Sequence, residues 1–126
     1  MKIGIIREGK TPPDSRVPLT PHQCKWLLQQ YPEVEIYVQS SDGRCFADAE
    51  YIKEGVPVVE SVQDCEVLFG VKEVPIEQLM ADKTYFFFSH TIKEQPYNRE
   101  LLRTVLDRNI RLIDYEVLTT DAGMRV

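Results

Sequence analysis

The chain alternates short apolar runs with amphipathic stretches, and that alternation is its clearest feature. Residues 3–6 form an apolar run suited to a buried strand, followed by a turn-rich loop over residues 9–15 containing Gly9, Pro12 and Pro13. A helix start then stands out. Thr20 takes the N-cap, Pro21 the first helical position and Gln23 the capping-box position. Cys24, Leu27, Leu28 and Tyr31 repeat at i, i+3, i+4, i+7, and Pro32 closes the helix. Residues 34–38 alternate apolar and charged positions, as in a strand with one wetter face. Residues 47–54 predict a short helix stopped by Gly55, and residues 56–59 another short strand. The most apolar runs, residues 67–71 and 85–88, read as central strands covered on both sides. Residues 75–80 predict a helical turn or two. Leu101, Leu102, Val105 and Leu106 mark a helix over residues 96–108, and residues 110–113 form the last strand.

Strands alternating with helices predict a doubly wound α/β fold: three layers, a mostly parallel sheet with helices on both faces. This is a flavodoxin-like or Rossmann-like arrangement, but the GxGxxG fingerprint and the Walker motif are absent, so the chain carries no phosphate cradle of its own. Its 126 residues suffice for one domain, without linker, repeat or low-complexity segment. Hydrophobic residues at 43% and charged residues at 28% fit a globular domain with a real core. A net charge of −5 without a basic stripe argues against nucleic acid or an anionic membrane as partner. No apolar run reaches the roughly 20 residues of a membrane span. The opening MKIGIIREGK lacks the apolar region of a signal peptide, so a cytoplasmic location is expected. Cys24, Cys45 and Cys65 are odd in number and without CxxC spacing, which predicts reduced structural thiols; His22 and His90 lie far apart, and no metal site is expected.

Polar residues fall where each buried strand ends. Arg7 and Glu8 follow the first strand, Lys72 and Glu73 the 67–71 run, Ser89, His90 and Thr91 the 85–88 run, and Asp114, Tyr115 and Glu116 the last. In a parallel sheet these ends share one edge, where open α/β sheets place their ligand crevice. Solvation alone also puts charge at strand exits, and for Glu8 or Asp114 taken singly that plainer reading is the better one. His90 ends the dense Tyr-Phe-Phe-Phe-Ser run, where partial burial and neighbours tune an imidazole. Lys72 seals an apolar strand beside Glu73, a setting for proton transfer. Arg16 suits a bidentate clamp on a substrate carboxylate, and reads equally well as an ordinary surface arginine. GxSxG and Cys/His arrangements for nucleophilic catalysis are absent.

The opening KIGIIREGKTPPDSRVPLTP resembles the N-terminal signature of the alanine dehydrogenase and transhydrogenase superfamily. The segments GVKEVP, FFFSHTIKEQPYN and RLIDYEVLTTDAGMRV are more similar to its lysine–ketoglutarate reductase and saccharopine dehydrogenase branch. The likeness runs from residue 2 to 126. It implies that Lys72 is the acid–base lysine and His90 the catalytic histidine. Arg16, Lys93 and Arg125 become substrate contacts, and Glu73 and Glu116 carboxylates that adjust basicity. The implied reaction joins an amino acid and a 2-oxo acid through an imine that NADH or NADPH reduces. Family members carry a Rossmann domain after this segment. Residues 1–126 are therefore expected to be the substrate-side domain of a longer enzyme. Alone the chain is expected to be inactive, with no cofactor-binding residues, and to expose an apolar surface that favours a homo-oligomer or swapped dimer. An alanine dehydrogenase or transhydrogenase subunit remains an alternative. So does a stand-alone flavodoxin-like binding module, although REGKTPPDS resembles neither a phosphate- nor a flavin-binding loop.

Overall fold

A computed structural model describes residues 1–92 and 95–125. The strands are β1 (Lys2–Ile5), β2 (Glu35–Gln39), β3 (Val58–Val59), β4 (Val67–Phe69), β5 (Thr84–Phe87) and β6 (Arg111–Asp114). They form one six-stranded sheet in the order β3-β2-β1-β4-β5-β6, and every pairing is parallel. The expected parallel α/β architecture is therefore what the chain adopts. All strand carboxyl ends lie along one edge. The strand order reverses beside β1, because the chain builds β2 and β3 on one flank and crosses to β4 on the other.

Side-chain alternation along β1 explains the two cores. Ile3 and Ile5 join Ile36 and Val38 of β2 on one face, under α1 (Pro21–Gln30) and α2 (Asp48–Lys53), with Cys24, Tyr51 and Val56 completing the cluster. Ile6 points the other way with Leu68, Tyr85 and Phe87, and α3 (Arg99–Asp107) covers that face through Leu101 and Val105. Fully burying side chains such as Leu68 or Phe87 stabilises the fold by about 1.5–3 kcal/mol each. Polar ends of buried aromatics find partners: the Tyr51 hydroxyl donates to the Leu19 carbonyl at 2.8 Å, and the Tyr85 hydroxyl accepts from Met80 N–H at 3.0 Å.

Local chemistry sets the helix ends. At α1 the Thr20 hydroxyl accepts from Gln23 N–H at 3.3 Å, while the Gln23 side chain accepts from Thr20 N–H at 2.9 Å. That is the capping box expected from the sequence. α2 has only half of one, Glu50 accepting from Ala47 N–H at 2.8 Å, because Ala47 has no side-chain acceptor. The chain leaves it through Gly55 at φ 80°. The helix expected over residues 96–108 divides into a 3-10 turn, Pro96–Asn98, and α3. The strand expected over residues 56–59 is ladder-paired only at Val58–Val59, since Val56 is drawn into the core beneath α2. Cys24 and Cys65 are buried and Cys45 exposed, all three free, and burial pushes the Cys24 thiol up to about 12.

Gly4 pairs with Leu68 of β4 in the sheet, and neighbouring side chains close over the position a Cβ would take. A Cβ there would sit 2.7 Å from Leu68 Cδ2 and 3.0 Å from Val62 Cβ. Gly4→Ala is expected to lower stability by about 1–3 kcal/mol through overpacking. Urea unfolding followed by circular dichroism checks this, and an unchanged midpoint would mean the neighbours yield without strain.

Candidate active site

The loop of residues 6–20, between β1 and α1, runs over the carboxyl edge of the sheet and supplies four charged side chains to it. Glu8 lies nearest the sheet. Its Oε1 accepts from Val71 N–H at 2.7 Å and its Oε2 from Lys72 N–H at 2.9 Å, which ties the exit of β1 to that of β4. Burial pushes its carboxyl above the ordinary range, against the pull of those two donors.

Beyond this bridge the charges form two clusters. In the first, Asp14 accepts from Arg16 through both carboxylate oxygens, with Nη2–Oδ2 at 2.7 Å and Nε–Oδ1 at 3.0 Å. Arg16 N–H also donates to Oδ1 at 2.9 Å, an Asx turn that fixes the loop locally. Lys72 Nζ lies 3.7 Å from the same carboxylate. The Arg16 side chain, which donates to it, holds the Asp14 carboxyl far below the usual range, and the pairing raises the guanidinium in turn. In the second cluster Glu73 receives Lys10 Nζ on Oε2 and His90 Nδ1 on Oε1, each at 2.6 Å. Burial alone would raise Glu73, but hydrogen bonds from Lys10, its own backbone and His90 bring it below its ordinary value. An ionised carboxylate only accepts, so the ring nitrogen facing Glu73 carries a proton, and the neutral form of His90 that fits this contact is the Nδ1–H tautomer with its Nε2 lone pair open.

The structure distributes the sequence-derived candidates as follows. Lys72, Glu73, His90 and Arg16 all reach this edge. The partners differ from those the sequence suggested, because consecutive residues leaving β4 project to different sides. Glu73 therefore serves Lys10 and His90, and Lys72 is given to Asp14. Glu116 follows β6 in the 3-10 turn Tyr115–Val117, with its backbone N–H held by Asp114 Oδ1 at 2.8 Å, and its carboxylate bonds to none of the described residues. Arg125 is exposed in an antiparallel bridge with Thr119, apart from both clusters. Lys93 lies outside the described residues. Sequence reading passed over Asp14 and Lys10. An Asp two residues before an Arg is an Asx-turn signal that could have exposed the first; nothing local announces the second.

Beside the first cluster, Arg16, Val17, Phe69, Val71, Phe88 and Tyr115 line an open, mostly apolar groove of roughly 420 Å³. Phe69 and Phe86 stack at 4.4 Å, and Phe88 meets Tyr115 at 5.0 Å. Burial pushes the Tyr115 phenol up, so it stays neutral. Among the described residues no group of His, Cys, Asp and Glu could hold a metal, and no helix is long and apolar enough to cross a membrane.

Comparison with known proteins adds an independent line. The family described as "Alanine dehydrogenase/PNT, N-terminal domain" matches residues 4–126. The mitochondrial alpha-aminoadipic semialdehyde synthase of Bos taurus is 40% identical over 124 residues, covering 98% of this chain and 13% of that protein. A saccharopine dehydrogenase (NAD(+), L-lysine-forming) of Emericella nidulans is 35% identical over 131 residues, 99% of this chain and 34% of that one. An L-alanine dehydrogenase structure superposes with a TM-score of 0.79 at 25% identity, over 98% of this chain and 34% of its own. A transhydrogenase from Sinorhizobium meliloti shares the fold, with a TM-score of 0.76 at 17% identity over 93% of this chain and 36% of that chain. The chain thus spans from about an eighth to about a third of these relatives.

The charge clusters make stability pH-dependent with a definite sign. Asp14 and Glu73 have folded values below their ordinary 3.8 and 4.5, so their contribution is full above those ordinary values and is lost as pH falls from them through the lowered folded values. Glu8, raised above 4.5, acts in the opposite sense, and its stabilisation fades as pH rises. Glu54, paired with Lys25, is lowered as well, so three carboxyls act against one and the urea midpoint is expected to fall between about pH 6 and about pH 3. Asp14→Asn should make that fall shallower. An identical slope in the variant would show that the Asp14 pairs contribute nothing.

Proposed function

The chain belongs to the alanine dehydrogenase/PNT N-terminal domain family, and on that premise we propose that it is the substrate-side domain of an NAD(P)-dependent amino-acid oxidoreductase of the saccharopine type. The reaction proposed is formation or cleavage of a C–N bond between an amino acid and a 2-oxo acid by way of an imine. One observation carries the reading: Lys72 and His90, an amine and an imidazole, leave neighbouring strands at one sheet edge, each seated on a carboxylate of its own. Imine chemistry moves protons on and off both nitrogen and oxygen, and two separately tuned groups suit it.

The roles follow from the contacts. Lys72 Nζ, against ionised Asp14, exchanges a proton with the substrate amine. His90, with Nδ1–H committed to Glu73, offers Nε2 to the water or hydroxyl that leaves or attacks the imine carbon. Arg16 commits Nε and Nη2 to Asp14, while its Nη1 has no hydrogen-bond partner among the described residues and is open to a substrate carboxylate. Lys93, Glu116 and Arg125 are proposed as outlying substrate contacts, in line with the motif resemblance.

The described residues do not fit a dinucleotide. A pyrophosphate needs a glycine-rich turn leading straight from β1 into an open helix N-terminus. Here fifteen residues intervene (6–20), and α1 begins at a proline with its first turn already capped by Thr20. The proposal therefore assigns the nicotinamide to a Rossmann domain elsewhere in a longer chain, leaves this chain inactive alone, and sets that remaining polypeptide against the apolar groove.

The test is a steady-state assay of the longer enzyme containing this chain. Oxidation of NADH or NADPH should require lysine and 2-oxoglutarate together. Lys72→Met and His90→Gln should each lower kcat by about 10²–10⁴-fold, with unfolding midpoints unchanged. Activity with pyruvate and ammonium instead would move the assignment to alanine chemistry. Near-normal turnover in either variant would remove that residue's role.

A further inference from the structure

We infer that Asn98 and Asp114 are positioning residues for His90, clamping the exit of β5 from both sides so that the imidazole is delivered to Glu73. The inference rests on the role proposed above for His90. Its starting point is the backbone: His90 has φ 56°, in the left-handed region that a residue with a Cβ seldom adopts. Asp82 and Asn109 share that conformation, but they are turn residues bonded to each other, Asn109 Nδ2 to Asp82 Oδ1 at 2.8 Å. His90 instead ends a central strand in the candidate site, and such a conformation persists only where its surroundings over-determine it.

Two buried polar side chains do this. Asp114, 8% exposed at the end of β6, accepts from Ser89 N–H at 3.2 Å and from the Ser89 hydroxyl on the same oxygen. Its other oxygen holds Glu116 N–H at 2.8 Å, so one carboxylate fastens the exits of β5 and β6 together. Asn98, 7% exposed, donates from Nδ2 to the His90 carbonyl at 2.6 Å. It is the last residue before α3, whose Leu101 and Val105 are locked in the core. The peptide entering Ser89 and the peptide leaving His90 are thus both pinned, which leaves the stretch between them little freedom to turn. Relaxation to negative φ would swing the ring off Glu73 and strip the buried Asn98 amide of its acceptor.

Nuclear magnetic resonance on this chain reads the clamp without needing activity. Long-range ¹⁵N spectra report the His90 tautomer, and three-bond couplings with Cα shifts report its φ. The unsubstituted chain should show positive φ and a single Nδ1–H tautomer. Asn98→Asp keeps the shape and removes the donor; Asp114→Asn weakens the other arm and serves as the second variant should the first not fold. Either should mix the tautomers and lose the positive-φ signature while other resonances stay dispersed. In the longer enzyme kcat should fall by about 10²-fold, as for misplacement of a reacting group, with KM within about threefold. Variants that retain both His90 signatures, or lose kcat while retaining them, overturn the inference. Normal turnover in His90→Gln would defeat the proposed role of His90 and leave the spectroscopic result to decide the clamp on its own.

Discussion

The Glu8 carboxylate is the constraint around which the candidate site is arranged. It sits where the strand order reverses, and it receives the two backbone N–H groups with which β4 leaves the sheet. Those donors would otherwise end unpaired at a partly buried edge, so a carboxylate bonding to both satisfies them and fixes the direction of the chain there. Lys72 is itself one of those two donors, and Glu73 follows it directly. Burial raises Glu8 although two donors hold it.

From that junction the loop of residues 6–20 works as an electrostatic frame. It brings Lys10 to Glu73 and sets Asp14 between Arg16 and Lys72, so each of these three basic side chains has a carboxylate and each carboxylate faces more than one basic residue. A parallel sheet needs a crossover here, and the crossover carries this loop before its helix begins. α1 is capped internally by Thr20 and Gln23, so the loop's charges are not consumed in stabilising a helix end and remain at the sheet edge. A dinucleotide-binding fold places a short glycine turn in the same position. On the proposed reading, that difference separates a substrate-handling half from a cofactor-handling half.

Much of this was legible in the sequence, for reasons that differ by element. The β4 and β5 runs read as central strands because both faces are covered, and the Thr20–Gln23 box announced α1 before any coordinates. That Lys72, Glu73 and His90 lie on one edge followed from topology alone, since parallel strands share a carboxyl edge. Pairing did not follow. Which carboxylate meets which cation depends on side-chain direction beyond the last ladder hydrogen bond, and no periodicity encodes it; hence Glu73 belongs to His90 and Lys10, and Lys72 to Asp14. The left-handed backbone of His90 was equally hidden, because its cause lies in Asn98 and Asp114, distant in sequence and bland when read singly. Residues 96–98 departed from the expected helix because Asn98 turns its side chain back to the His90 carbonyl as the chain enters α3.

The central claim is that the amine and the imidazole serve a single substrate at one edge of the sheet. A double-substitution cycle on kcat in the longer enzyme, combining Lys72→Met with His90→Gln, tests it most directly. Groups acting as one unit lose their effect together, so the double variant should be no slower than the slower single variant by more than about threefold. Losses that multiply in full would show two independent contributions and contradict the account.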